Sequence, residues 1–96
     1  MELTVVDVPQ ASRYEARSGE SVPAFAAYRQ DPARPGVLVL THTEVDPAFE
    51  GQGVGGALAR GALDDVRARG LRIVPQCPFI RSWIAKHPDY QDLVAG

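Results

Sequence analysis

The sequence has little of several features that would narrow its class at once. It holds a single cysteine, Cys77, among 96 residues, so no disulfide can form within the chain. A lone thiol is easily kept reduced in the cytosol, which predicts a cytoplasmic location. No apolar run approaches the roughly 20 residues that a membrane helix needs. The N-terminus also lacks a basic segment ahead of an apolar one, so we expect neither a secretory signal nor a membrane partner.

Basic clusters are missing as well. The Lys and Arg residues number 10 and are scattered among 12 acidic residues, which gives a formal net charge of −2. Nucleic-acid-binding domains normally carry a concentrated basic face, so this balance argues against a nucleic-acid partner. The remaining composition, 45% hydrophobic and 23% charged, is that of an ordinary globular protein. At this length we expect one domain spanning residues 1–96.

The first half of the chain predicts a run of strands. Val37–Leu40 is a continuous apolar run, typical of a central strand buried on both faces, and it continues in polar form to Val45. Earlier in the chain, residues 13–17 alternate charged and less polar side chains, which predicts a strand with one solvent-exposed face. The three earlier strands are predicted, in chain order, at 3–8, 13–17 and 23–29.

The second half predicts two helices around one further strand. A helix begins near Gly53, with apolar residues every four positions, and a left-handed cap is expected at Gly70. Residues 71–74 read as another buried strand, and Pro78 opens a second helix whose apolar stripe is Phe79, Ile80, Trp83 and Ile84. A helical crossover makes the strands beside it parallel. The predicted fold class is therefore α+β: an antiparallel meander leading into a strand–helix–strand–helix unit, with helices flanking a mixed sheet.

The strongest chemical signal is the glycine-rich segment Glu50–Gly56, between the buried strand and the amphipathic helix. Glycine allows close backbone approach to an anion and conformations that other residues avoid. The first N–H groups of a helix have no internal partner, and the helix dipole favours negative charge there. The segment therefore predicts a backbone cradle for a pyrophosphate. The alternative is a structural loop whose glycines only permit tight packing.

Two common nucleotide motifs do not fit this segment. A P-loop ends in Gly-Lys-Ser or Gly-Lys-Thr, which is absent here. Gly51, Gly53 and Gly56 do spell GxGxxG, the pattern of dinucleotide-binding folds. However, the segment follows an antiparallel meander, and the chain after it is too short for a Rossmann sheet.

The segment resembles the pyrophosphate loop of the GNAT N-acetyltransferase superfamily, Arg/Gln-x-x-Gly-x-Gly/Ala. Gly53 and Gly55 occupy the small positions, while Glu50 replaces the usual Arg or Gln. A run of four motifs that includes this loop, from His42 to about Tyr90, resembles a YidJ-like subgroup of stand-alone domains of about this length: His-Thr-Glu-Val, Gly-x-Gly-x-Gly, Val-Pro-x-Cys-Pro-Phe and His-Pro-x-Tyr.

The resemblance implies acetyl-coenzyme A as the cofactor and no metal. It implies that backbone groups of Glu44 and Val45 hold the thioester and pantetheine arm. It also implies that the pyrophosphate is held by the loop amides, which are those of Gly51, Gln52, Gly53, Val54, Gly55 and Gly56.

Direct attack by an amine, the reaction of that superfamily, needs a base and an acid. His42 and Glu44 are candidate bases, and two residues apart on a regular strand they share a face; a bulge would break that inference. Cys77, just before a helix start, is a candidate proton donor or acetyl acceptor. Each of the three also has a purely structural interpretation. The helix Tyr that many GNAT enzymes use as acid is absent from 78–86, and Tyr90 is a possible substitute.

The function predicted is an acetyl-coenzyme A-dependent N-acetyltransferase acting on an amine that the sequence does not identify. The alternative is a non-catalytic acyl-coenzyme A-binding module, favoured by the missing helix Tyr and the short chain. A third candidate is an interaction domain without a nucleotide ligand. We expect a monomer or a weak homodimer.

Overall fold

A computed structural model describes residues 2–95; Met1 and Gly96, the ends of the predicted domain, lie outside the described residues. The described chain forms five strands: β1 (Thr4–Val8), β2 (Arg13–Ser18), β3 (Ser21–Gln30), β4 (Val37–Val45) and β5 (Arg72–Pro75). It also forms two α-helices, α1 (Val54–Ala68) and α2 (Pro78–Lys86). Short 3₁₀ turns lie at Pro9–Ala11, Pro47–Phe49 and Pro88–Leu93.

The strands form one sheet in the order β1-β2-β3-β4-β5. The first four are antiparallel neighbours, and β5 is parallel to β4 because α1 crosses between them. The predicted α+β class is confirmed. The strand predicted at 71–74 is present as β5, but the prediction that it is buried is wrong, because β5 is the edge of the sheet. Ile73 is buried there, but Arg72 is exposed, and Ile73 meets only a single bridge from Val94 on its far side.

Both helices pack on the same face of the sheet. The stripe of α1 is buried against β1 to β4, and α2 adds its own apolar side chains to the same core. The predicted stripe of α2 holds at three of its four positions, Ile80, Trp83 and Ile84. Phe79 is the exception, with 41% of its surface exposed. It lies at the border of the core, where its ring projects over Gly55 at the start of α1.

The opposite face of the sheet, which we call the outer face, is covered by neither α1 nor α2. Glu15 lies on it, and the expected wet face of β2 is wrong at this residue, which is only 5% exposed. Arg13 and Arg17 flank the carboxylate at 2.6 and 2.8 Å and shield it from water. Hydrogen bonds from these two arginines lower the pKa of Glu15. The outer face is therefore partly covered by its own side chains.

Candidate functional site

A β-bulge interrupts β4 next to the candidate residues. The register of β3 and β4 shifts between Ala27, which faces His42, and Tyr28, which faces Leu40. Thr41 is thus the extra residue, and its hydroxyl donates to the carbonyl of Ala27 at 3.3 Å. Because side chains alternate along a strand, an extra residue exchanges the two faces for every position after it. The side chains beyond Thr41 therefore lie on the opposite faces from those that a regular strand would give.

The second half of β4 has an open edge. β4 pairs with β5 only as far as Leu40, opposite Pro75, and the Leu40 carbonyl then accepts from the N–H of Cys77 at 2.9 Å. On the other edge, the N–H of Asp46 donates to the carbonyl of Pro23, which fixes the alternation of the ladder with β3. By that alternation Glu44 bonds to β3, whereas Thr43 and Val45 direct their N–H and C=O groups to the open edge.

The glycine loop has the backbone shape that its composition predicts. Gly51 and Gly53 have φ values of 81° and 75°, in the left-handed region that disfavours other residues. A Cβ added at either position would meet no atom within 4 Å, so the space beside both is open. Gly53 caps α1, and its carbonyl accepts from the N–H of Ala57 at 3.1 Å. The N–H groups of Val54, Gly55 and Gly56 begin the helix and therefore have no carbonyl one turn earlier to bond. The loop residues before them, 51–53, are exposed to solvent.

Gly55 and Gly56 have a different role from the first two glycines. They belong to the first turn of α1, where α2 comes close. A Cβ at Gly55 would lie 2.8 Å from the ring of Phe79, and one at Gly56 would lie 3.7 Å from the indole nitrogen of Trp83. The packing interpretation therefore applies to Gly55, which lies under the Phe79 ring, whereas a Cβ at Gly56 would make an ordinary van der Waals contact.

Cys77 lies at the N-cap of α2 and is buried. Its thiol donates to the hydroxyl of Thr43 at 3.2 Å, which joins the start of α2 to the open edge of β4. Thr43 was not singled out from the sequence. Only the bulge, which turns Thr43 toward the helices, brings it to the thiol.

His42 and Glu44 lie together on the outer face. Their side chains approach to 3.5 Å, which confirms that they share a face, and they are 60% and 63% exposed. The ring of Phe25 lies 6.2 Å from that of His42, edge on. The structure therefore separates the predicted catalytic residues: the two candidate bases lie on one side of β4, and Cys77 lies on the other.

The side chain of Tyr90, the possible substitute for the helix Tyr, forms its hydrogen bonds with α1. Its hydroxyl donates to Asp64 at 2.7 Å and accepts from Arg60 at 3.2 Å, and its ring packs against Trp83. The hydrogen bond to Asp64, followed by burial, raises the pKa of Tyr90. These contacts fasten the C-terminal turn to α1.

Residues 2–95 contain neither a metal-binding cluster nor a membrane-spanning helix. No group of three or more His, Cys, Asp or Glu side chains in this range could hold a metal ion. Within the same range, no helix combines the length and apolar character that crossing a bilayer requires.

Known proteins are similar to this chain in part of its sequence. Residues 13–93 match the family model described as GCN5-related N-acetyl-transferase. Protein NATD1 of Bos taurus is 36% identical over 52 residues, which are 54% of this chain and 46% of NATD1. Protein NATD1 of Homo sapiens is 35% identical over 52 residues, 54% of this chain and 46% of that protein. The chain spans about half the length of the curated relatives it matches.

Solved structures agree on the fold. A candidate GCN5-like N-acetyltransferase of Staphylococcus aureus, solved in solution, has a TM-score of 0.69 at 24% identity, covering 99% of this chain and 88% of that one. A crystal structure of a candidate GNAT-family acetyltransferase of Desulfovibrio desulfuricans has a TM-score of 0.55 at 22% identity, covering 83% and 51%.

The meander, the β4–α1–β5 crossover and the glycine turn at the start of α1 define a fold of the acetyltransferase class. The family model spans most of the chain, and the chain belongs to the GCN5-related N-acetyltransferase family. It thereby falls among the acyltransferases.

Proposed function

We propose that this chain, as one domain over residues 1–96, transfers the acetyl group of acetyl-coenzyme A to an amine. The observation that carries the proposal is the open edge of β4, which is followed, after the short turn Pro47–Phe49, by a glycine loop at a helix N-terminus. A thioester arm and a pyrophosphate need these two features side by side.

The loop fits a pyrophosphate by shape and charge. The space beside Gly51 and Gly53 is open, so phosphate oxygens can reach the main chain there. The unbonded amides and the positive end of the α1 dipole favour a negative group. The amides proposed to hold it belong to Gly51, Gln52, Gly53, Val54, Gly55 and Gly56. Glu50, where the family usually has a basic or amide side chain, adds no attraction for a phosphate.

The open edge of β4 fits the amide-containing arm of the cofactor. Of the two residues that the resemblance implies, Val45 directs its N–H and C=O to the open edge, while the backbone of Glu44 bonds to β3. The strand alternation adds Thr43 as a second residue with free backbone groups. We propose that Thr43 and Val45 bind the arm and that Glu44 contributes its side chain instead.

When bound, acetyl-coenzyme A supplies an acetyl thioester: the amine nitrogen bonds to the carbonyl carbon, the C–S bond breaks, and sulfur keeps the electron pair. Glu44 or His42 takes the proton that the amine must lose, and both are exposed on the outer face. Cys77 is proposed to protonate the sulfur from the helix side. A thioester at the open edge of β4 would then lie between the face that carries the base and the face that carries the acid.

The cradle is tested by the change Gly53→Ala with Gly19→Ala as its matched control. Both glycines have positive φ, 75° and 58°, and both have open space for a Cβ. Each change should therefore cost about 1–2 kcal/mol of stability from backbone strain. We expect only Gly53→Ala to weaken acetyl-coenzyme A binding in calorimetry, by at least about tenfold. Equal affinity in the two variants would rule out the cradle.

Turnover is tested by release of free thiol in the presence of an amine panel. Binding accompanied by release supports transfer. Binding without release on any amine would favour the alternative, an acyl-coenzyme A-binding module that does no chemistry.

A further inference from the structure

A depression of about 240 Å³ lies where β3 begins and β4 ends. It is lined by apolar residues and by two carboxylates, Glu44 and Asp46; among the described residues, no basic side chain lines it. Val45 also lines it, and this residue directs its backbone to the open edge of β4. The depression thus adjoins the proposed path of the thioester.

We propose that this depression binds the acceptor, and that the acceptor is an unbranched aliphatic primary amine whose chain carries no carboxylate. The inference rests on the proposed function and narrows its substrate class. Two sources share this chemistry, the lysine side chain of a polypeptide and a free alkylamine.

The charges of the lining select a cation. Asp46 accepts from the N–H of Ala48 with one oxygen at 2.9 Å, and its second oxygen is available to a ligand. With Glu44 it attracts an ammonium group and repels a carboxylate. One arginine, Arg13, lies beside the lining, with its guanidinium 4.4 Å from the centre of the Phe25 ring. That charge is offset by Glu15 at 2.6 Å, so it does not cancel the two carboxylates.

The volume and the apolar lining of the depression suit an alkyl chain. Its volume is below the roughly 300 Å³ at which pockets for whole drug-sized molecules begin. Val22 and Phe25 offer apolar surface to methylene groups. Val22 is 38% exposed at the mouth, so a chain can enter while still attached to a larger molecule. The depression thus has room for one side chain or a small amine rather than for a large molecule.

The position of Glu44 suits the reaction. An amine seated in the depression gives its proton to the Glu44 carboxylate and then has a free electron pair. As the C–N bond forms, the C–S bond breaks and sulfur takes the electron pair of that bond. No oxidant or reductant is needed.

Substrate choice is tested with three amines and acetyl-coenzyme A. Hexylamine and 6-aminohexanoate have matched chains and differ in a carboxylate; a lysine tripeptide blocked at both ends presents the side-chain amine on a polypeptide. We expect hexylamine or the blocked peptide to be acetylated and 6-aminohexanoate to be disfavoured. A faster rate for the peptide identifies a protein acceptor, and a faster rate for hexylamine identifies a free amine. Preference for 6-aminohexanoate overturns the inference.

The site itself is tested by Asp46→Asn with Asp31→Asn as its control. Both aspartates accept a hydrogen bond from the alanine two residues on, each at 2.9 Å, but Asp31 lies at the other end of β4. We expect Asp46→Asn to raise KM for the amine about threefold to fivefold, as for an exposed ion pair, with kcat and cofactor affinity unchanged. Phe25→Leu should also raise this KM. An unchanged KM in both site variants overturns the inference alone, whereas loss of acetyl-coenzyme A binding by the unmodified protein overturns the proposed function too.

Discussion

Cys77 has contacts that fix its position at the junction of three elements. Its N–H donates to Leu40 on β4, its thiol donates to Thr43 beyond the bulge, and its carbonyl accepts from Arg81 on α2. The sulfur therefore faces the part of β4 that has no partner strand. A side chain held in this way can deliver a proton to one place with little reorganisation.

Replacing Cys77 separates a chemical role from a packing role. If the thiol protonates the departing sulfur, Cys77→Ala should lower kcat about 100-fold and leave acetyl-coenzyme A affinity within about twofold. Cys77→Ser, which keeps a hydroxyl donor, should retain more activity than Cys77→Ala. Thiol-release kinetics and calorimetry measure the two effects.

The alternative role of Cys77 has a distinct signature. A cysteine that accepts the acetyl group gains the mass of one acetyl in the absence of an amine, and Cys77→Ser should then be as inactive as Cys77→Ala. Full kcat in Cys77→Ala would show that the thiol only packs.

Single residues differed in how far the sequence revealed them. Gly53 could be predicted because a helix start after a glycine-rich turn is a local pattern. Thr43 could not, because its contact with Cys77 joins residues 34 positions apart and depends on the bulge at Thr41. Phe79 was expected in the core, but its place over Gly55 depends on how α2 meets α1.

At the scale of elements, two glycines of α1 mark close approaches of different kinds. A Cβ at Gly61 would lie 2.6 Å from Cβ of Val5, an atom attached directly to the backbone of β1. A Cβ at Gly55 would meet the far end of the Phe79 ring, which is partly exposed and can rotate away. The first contact sets the distance between α1 and the sheet, and the second does not.

We therefore expect opposite outcomes for the two alanine variants. Gly61→Ala should lower the free energy of unfolding by about 1–3 kcal/mol, because the helix must move off β1. Gly55→Ala should change it by less than about 1 kcal/mol, because the gain in helix propensity offsets the displacement of Phe79. Urea unfolding compares them directly. Equal destabilisation would mean that Phe79 is held as firmly as Val5.

The ends of elements were predictable where proline or glycine marks them, as at Pro78 and Gly70. The position of a strand within the sheet was not. Residues 71–74 have the apolar run of a buried strand, yet β5 lies at the edge because no further strand of the described chain pairs fully with it. An apolar run indicates that side chains are buried, and Ile73 is buried. It does not indicate whether the strand has a neighbouring strand on both sides, and β5 has one on one side only.

At the scale of the whole molecule, a polar network joins the sheet to the end of α1. The hydroxyl of Tyr14 donates to Asp65 at 2.7 Å, and that of Tyr28 donates to Asp7 at 2.6 Å. Arg69 bridges both carboxylates, each at 3.0 Å. Burial, and then the hydrogen bond to Asp7, raises the pKa of Tyr28 to about 12; burial and Asp65 likewise raise the pKa of Tyr14.

The network predicts a loss of stability at alkaline pH. The unfolded tyrosines ionise near pH 10, whereas the folded Tyr28 keeps its proton to about pH 12. Stability is therefore fully present below pH 10 and falls as pH rises from about 10 to 12, since ionisation then favours the unfolded chain. Thermal unfolding across this range should show a steady Tm and then a fall.

The variant Tyr28→Phe isolates the contribution of one hydroxyl. Its Tm should be lower at neutral pH and should fall less steeply above pH 10. Tyr14 and Tyr90, whose pKa values are also raised in the folded chain, retain their share of the alkaline loss in this variant. An identical alkaline slope in the variant and the unmodified protein would show that Tyr28 does not carry the effect.

The extra residue at Thr41 decides which side chains of β4 lie on each face of the sheet. Before it, even-numbered side chains such as Leu38 and Leu40 lie beneath the helices; after it, even-numbered His42 and Glu44 point away from them. Closing the bulge with every residue kept would restore a single parity, drive the Glu44 carboxylate into the apolar interior and turn Thr43 out of reach of the thiol, whereas deleting Thr41 would leave these faces unchanged. The bulge at Thr41 is thus as much a part of the chemistry as the identity of the residues that follow it.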